Sequence, residues 1–229
     1  IFATNHSGMA FPWDGIIFAQ GILNRFKFSK DSVRALVTPM LTDFLYMSPY
    51  LIRNIWENVG CTEATYKNFD TLMFKNNQNV LIYPEGAAGI SKGFNRRYQL
   101  QEFKTSFIRM SIKYKTDIVS FSTINAEYNN PFSYKSKKIN DLVNKIGIPF
   151  LPVGITTLLT LVQPWFFYFA FPSKITFVMG KRIKPYEMID KPYHEITHKE
   201  YKELAEKVRL IMQEDLKEAR RKYGKKPYK

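Results

Sequence analysis

Cysteine is nearly absent from this chain: Cys61 stands alone among 229 residues. That excludes a disulfide-stapled scaffold and any Cys-rich zinc or iron–sulfur site. Histidine is scarce too, with His6, His194 and His198 the full set. Acid is in short supply: 20 Asp and Glu against 34 Lys and Arg give a formal net charge of +14. Some motifs are missing as well. There is no Gly-x-Ser-x-Gly turn, no Gly-rich phosphate loop ahead of a helix, and no zinc-finger or RNP-type spacing. Apolar residues, by contrast, are plentiful. At 45% hydrophobic and 16% aromatic, the chain has ample material for a core and is not a disordered polymer. A mean hydropathy of −0.28 argues against a polytopic membrane protein. The length suits one large domain or at most two small ones. A basic, aromatic-rich globular domain suits an anionic partner: nucleic acid, a membrane surface, or a phosphorylated or CoA-type molecule.

The positive charge is unevenly spread. Lys217 to Lys229 holds seven basic residues and one acid, Glu218, so this tail carries +6 of the +14. Such a run reads either as a solvated tail or as attraction to anionic headgroups, worth about 1 kcal/mol per Lys or Arg near that surface. With no recognition motif beside it, a nucleic-acid partner is not expected. The chain opens Ile1-Phe2-Ala3, already apolar and without Met. Further sequence upstream is therefore expected, with room for a signal peptide or a membrane anchor.

Periodicity predicts alternating strands and helices. Strands are expected at Ile1–Thr4, Val33–Thr38, Val80–Tyr83, Asp117–Ile124 and Lys174–Met179, the last ending at Gly180. Helices are expected at Asp14–Phe26, Pro39–Trp56 (broken at Ser48-Pro49), Tyr66–Lys75, Leu100–Tyr114 and Lys199–Lys222. The pattern implies a single α/β domain over 1–229. It has a mixed, mostly parallel central sheet flanked by helices, a core over about 1–184, and a long amphipathic helix with a basic tail over about 199–229. Active groups in such folds lie just past the carboxyl ends of strands.

From Ile146 to Ser173 the chain runs 28 residues without a charge. The length would allow a transmembrane helix. However, Pro149, Pro152, Pro164 and Pro172 interrupt it, at about 3 kcal/mol each inside a helix. A buried or interfacial loop-and-turn region is the first expectation and a spanning helix the second; the Trp165–Phe169 aromatic run suits a membrane–water interface.

Chemistry points to His6. It follows a predicted buried strand in Asn5-His6-Ser7-Gly8, with Pro12 and Asp14 just beyond. A carboxylate on one imidazole nitrogen fixes the tautomer and leaves the other nitrogen as a general base. Asp14 fits that role or the simpler one of helix N-cap, and His6 alternatively reads as a satisfied buried histidine. His194 and His198 have the i, i+4 spacing of a metal pair, but surface histidines at the start of the last helix are the plainer reading. A second signal is Val80-Leu81-Ile82-Tyr83-Pro84-Glu85-Gly86, a strand ending in a carboxylate and a glycine.

Together these blocks resemble the glycerolipid (lysophospholipid) acyltransferases, the PlsC-like, 1-acylglycerol-3-phosphate acyltransferase-like family. Asn5-His6…Asp14 is followed roughly 70 residues later by Tyr83-Pro84-Glu85-Gly86. Val59–Ala64 sits where the family's second block is expected, Phe103–Met110 looks like its helix after the Glu block, Asp117–Phe121 resembles its fourth block, and Ile175–Gly180 its late strand. The resemblance spans Asn5 to about Lys184. There are departures. Asp14 stands eight positions after His6 where five is usual, and Ala87-Ala88 replaces the usual Thr-Arg. Ser120 stands where proline is common.

The resemblance implies the glycerol-3-phosphate acyltransferase-like fold and acyl transfer from acyl-CoA or acyl-ACP to a lysophospholipid or related glycerolipid hydroxyl. It makes His6 the general base, oriented by Asp14, and gives Glu85 and Gly86 the acceptor site. Arg96, Arg97 or Lys104 would meet a phosphate by charge-assisted hydrogen bonds, with Lys92 as a further source of positive charge. No metal or cofactor is required beyond the thioester co-substrate. The expected partners are the lipid acceptor, the thioester and an anionic membrane surface, with the protein on the cytoplasmic face of the membrane. The alternatives are a lipid or thioester hydrolase using Ser7 or Ser91, and a non-catalytic lipid-binding module.

Overall fold

Apolar residues alternate along the central strands, and both sets are buried. In β4 (Asn79–Ile82), Val80 and Ile82 face one side and Leu81 the other, which requires helices on both faces of the sheet. The computed structural model of the chain describes residues 1–6, 11–27, 33–39, 55–75, 78–145 and 153–228. The predicted Pro39–Trp56 helix lies almost wholly outside them, as do Ser7, Gly8 and 146–152.

Six strands among the described residues form one sheet in the order β3-β2-β4-β1-β5-β6. They are β1 (Phe2–Thr4), β2 (Val33–Val37), β3 (Thr62–Glu63), β4, β5 (Ile118–Ile124) and β6 (Thr176–Ile183). The first five pair in parallel, and β6 closes the edge antiparallel to β5. Ala3 lies opposite Ile82 on one side and Ser120 on the other, so β1 is a central strand. This is the expected α/β domain with a mixed, mostly parallel sheet.

Helix α1 (Trp13–Arg25) covers one face through Phe18, which packs with Val33, Leu81, Phe121 and Phe177. The short α2 (Ile55–Asn58) contributes the buried Trp56. The other face is covered by α3 (Tyr66–Lys75), by α5 (Ser106–Tyr114) and by the long C-terminal α8 (His198–Tyr223), with α4 (Ala87–Ile90) between β4 and α5. A capping box, Thr197 with Glu200, starts α8. Gly180 lets α8 approach the sheet. A Cβ there would collide with Asp215, whose carboxylate accepts from Ser120 Oγ at 2.7 Å and Lys181 N at 2.9 Å.

Several boundaries differ from expectation. The helix predicted over Leu100–Tyr114 begins only at Ser106, because residues 100–104 spend their backbone groups on other elements: Leu100 N on Gln213, Gln101 N on Glu85, Lys104 N on Pro84 O. Strand β6 does not stop at Gly180 but continues to Ile183. Helix α6 (Lys137–Asn144) and β3 were not anticipated. The described part of the uncharged stretch, 153–173, contains α7 (Ile155–Val162) and a 3-10 turn at Pro164–Tyr168. No helix of the described residues is long and apolar enough to cross a membrane. The basic tail is less a tail than a helix end, since α8 runs to Tyr223 and Pro227 O accepts from Lys174 N at 2.7 Å.

Candidate functional site

The parallel strands β1, β4 and β5 release their carboxyl ends on the same edge of the sheet. Asn5 extends β1 by one residue with its side chain. Its Nδ2 donates to Thr123 O at 3.0 Å and its Oδ1 accepts from Thr123 N at 2.7 Å, copying a strand's pairing pattern. The backbone is thereby free to turn away at His6.

His6 is buried. Its backbone N–H donates to Glu85 Oε1 at 2.9 Å, and the other oxygen of that carboxylate accepts from Gln101 N at 2.8 Å. Glu85 is fully buried, so a carboxylate at the end of β4 holds the backbone at the end of β1. The resemblance gives Glu85 to the acceptor; here both of its oxygens serve the protein's own backbone. Two glycines permit this geometry. Gly86, at φ +55°, makes the turn out of Glu85. Gly89 presses against the pair: a Cβ there would stand 2.7 Å from His6 Cβ and 2.8 Å from Glu85 Cβ.

The His6 ring lies 4.4 Å from the Tyr83 ring, centroid to centroid. Asp14, on the first turn of α1, is buried, and its charge acts on Tyr83. Burial raises the Tyr83 hydroxyl well above its ordinary range, and the Asp14 charge and Cys61 push it further. Gly15 makes room for that hydroxyl, since a Cβ on Gly15 would stand 2.9 Å from it. Tyr83 thus packs against the His6 ring and feels the Asp14 charge. The Asp14 carboxylate also accepts from Gly15 N at 2.9 Å, a local helix-start bond.

Burial, then the nearby Lys92 charge, lowers the His6 pKa to about 3. The imidazole is therefore neutral at pH 7, the form a base requires. Its Nδ1 has no hydrogen-bond partner among the described residues.

Lys92 departs from expectation. The resemblance makes it a source of positive charge for a phosphate, but the side chain is 1% exposed, with its ammonium 3.7 Å from Glu127 and 4.0 Å from Glu85. Two buried carboxylates need a counter-charge, and Lys92 is the ammonium that both face. Burial raises the Glu127 pKa, with Lys92 opposing that shift. Glu127 also accepts from Tyr98 N at 3.2 Å. Sequence reasoning missed Glu127, because nothing local marks an acid 42 positions from Glu85 as its neighbour.

The remaining predicted residues lie further out. Arg96 is exposed on a 3-10 turn, Phe94–Arg96. Arg97 is half-buried and stacks 4.6 Å over the Phe94 ring and 5.9 Å from Tyr128. Lys104 is exposed, with its backbone anchored to Pro84. His194 is exposed in a separate turn, and His198, at the first position of α8, meets Arg109 at 3.3 Å. Ser91 is buried and bonds weakly to Ala88 O at 3.4 Å.

No family model matches the chain, and no solved structure matches it significantly. The chain is similar to an uncharacterized protein of Mycobacterium leprae (strain TN), 27% identical over 165 residues, which are 72% of this chain and 41% of that protein. An uncharacterized protein of Mycobacterium tuberculosis (strain ATCC 25618 / H37Rv) is 26% identical over 165 residues, 72% of this chain and 42% of that protein. The match thus spans about two fifths of the length of these curated relatives.

Proposed function

We propose that this chain is an O-acyltransferase that moves a fatty acyl group from acyl-CoA or acyl-ACP to a hydroxyl of a lysophospholipid or related glycerolipid. The observation that carries the reading is the bond from His6 N to Glu85 Oε1. Two blocks 79 residues apart in sequence, which together resemble the PlsC-like family, share one buried site.

In this mechanism the acceptor hydroxyl gives its proton to His6 as its oxygen attacks the thioester carbonyl carbon. The tetrahedral intermediate then collapses, the C–S bond breaks, and the thiolate takes the proton from the imidazolium. No enzyme nucleophile is needed once both substrates are positioned. The resemblance assigns Asp14 to orient the ring, and its buried charge would offset the transient imidazolium. Burial holds the free-site pKa at about 3, and a base works best near the operating pH, so this reading requires the bound substrates to raise the basicity of His6. Arg96 and Lys104, both exposed, are the cations this reading assigns to a headgroup phosphate brought from solvent. The protein would work as a peripheral protein on the cytoplasmic face of an anionic membrane.

The test is mass spectrometry of the products from a mixed pool of lysolipids and one labelled acyl-CoA. We expect a labelled diacyl lipid with the wild type and none with His6→Ala, whose far-ultraviolet circular dichroism stays native. Asp14→Asn should lower turnover with little loss of melting temperature. Thioester consumption that is indifferent to added lysolipid would make the protein a hydrolase instead. Near-normal turnover by His6→Ala would remove the general-base assignment.

A further inference from the structure

Helix α7 is amphipathic the wrong way round for water. Thr156 is buried and gives its hydroxyl to Asn130 Oδ1 at 3.1 Å, and the Thr160 hydroxyl folds back onto the Thr156 carbonyl at 2.8 Å. The outward positions are apolar: Ile155 is 54% exposed, Leu158 63%, Leu161 68% and Val162 84%. Ile155, Leu158 and Val162 share one face by helical spacing, and Trp165, 74% exposed, follows in the next turn. A helix in water turns its threonines out and its leucines in. An outward apolar stripe of this kind marks a surface that is covered in use.

The surroundings say by what. Val153, one residue before Gly154 caps α7, pairs with Tyr134, and the exposed Lys135, Lys137 and Lys138 follow at once. Between Pro131 and Ser173 there are four lysines and a single acid, Asp141. Phe132, 49% exposed, continues the apolar border through ring contacts with Phe171 and then Phe169. Outward leucines, an exposed tryptophan in the next turn and exposed lysines on the neighbouring segment are the residue types of an anionic membrane interface. Eight residues of helix measure about 12 Å, too short to span a bilayer but right for lying in its headgroup region. The residues of α7 that are more than half exposed, Ile155, Leu158, Leu161 and Val162, are all apolar, and the charges beside them are lysines, which suits an anionic lipid surface.

The patch is also tied to the candidate site. Tyr168 O accepts from Trp13 Nε1 at 2.9 Å, and the Phe11 ring sits 4.8 Å from Tyr168 and 5.8 Å from Phe167. Phe11 and Trp13 lead directly into Asp14.

We infer that α7 and the Pro164–Tyr168 turn form an interfacial wedge that seats this domain in an anionic lipid bilayer. The wedge sets the His6–Asp14 block at headgroup depth. The inference rests on the acyltransferase reading only in taking the lipid as acceptor as well as support.

The experiment is co-flotation of the 229-residue chain with phosphatidylcholine vesicles and with vesicles containing phosphatidylglycerol. Tryptophan quenching by brominated lipid is read in parallel. We expect wild type to partition, more strongly onto the anionic vesicles. Quenching should be largely lost in Trp165→Phe, which keeps Trp13 and Trp56. Leu158→Asp with Leu161→Asp should lower the partition coefficient about tenfold or more. These are exposed positions, and an unchanged melting temperature will show that the fold survives. The inference is overturned if the double variant partitions like wild type, if Trp165 is not quenched, or if salt alone abolishes all binding. It is also overturned if the face proves to bind a second copy, seen as a dimer in solution that the double variant dissolves and that does not float with vesicles. His6→Ala should float like wild type. Flotation without any acyl transfer would sink the enzymatic reading and leave the wedge standing. Acyl transfer with unchanged flotation of the double variant would do the reverse.

Discussion

Lys92 and Glu85 meet at the residue scale in a way that composition hides. A lysine shortly after a Pro-Glu-Gly turn reads as a surface charge, and most lysines are. Here the ammonium is buried between Glu85 and Glu127, and Glu85 in turn holds the His6 and Gln101 backbones. Removing the Lys92 ammonium leaves two buried carboxylates without the charge they both face. Lys92→Met is therefore expected to cost about 3–5 kcal/mol in urea unfolding. Lys104→Met, at an exposed position, should stay within about 0.5 kcal/mol of wild type. Equal effects from the two would mean that the Lys92 charge is not structurally committed.

At the scale of elements, the candidate site is a matter of strand ends brought together. Asn5 prolongs β1 by side-chain mimicry, and Gly89 lets α4 touch both His6 and Glu85. Gly89→Ala adds one methyl group where a Cβ would stand 2.7 Å from His6, so overpacking should destabilise by about 1–3 kcal/mol. Turnover should fall further than stability alone explains, because the clash is with the His6 and Glu85 side chains. A melt and an acyl-transfer assay on the same sample separate the two effects. Much at this scale was legible. The Tyr66–Lys75 helix and the β1, β2, β4 and β5 strands were visible as hydrophobic periods and turn residues. The illegible parts have physical causes. Residues 100–104 have the composition of a helix, but distant carboxylate and amide groups take their backbone donors. Thr156 of α7 turns inward with its hydroxyl on Asn130, a contact between distant residues that no local period encodes.

For the whole molecule, the buried His6 links site chemistry to global stability. Its folded pKa is about 3 and its ordinary value about 6.5. As pH falls through 6.5 the unfolded chain takes up a proton that the folded chain refuses until about pH 3. The unfolded state then binds more protons, so stability is full above about pH 7 and falls on acidification. The slope from this one group approaches about 1.4 kcal/mol per pH unit between about pH 5.5 and 4. Glu127, with its raised pKa, works in the opposite sense, and Lys92, Glu85 and Tyr83 face the same region. Comparing wild type with His6→Gln isolates the His6 share. Urea midpoints of the variant should vary less with pH over this range, and parallel curves would show that His6 is not held neutral by burial.

The sequence alone determined the α/β class, the basic character and the residue types that can do acid–base work. Those follow from composition and short periods, which are local properties of the chain. The tertiary structure decided which of the charges are surface and which are core. It made Lys92 a buried counter-ion, engaged both oxygens of Glu85 with backbone, stacked Arg97 on Phe94, and turned the leucines of α7 outward. Burial and pairing depend on elements tens of residues apart closing on one another, and that closure is set by the sheet order, not by any window of sequence.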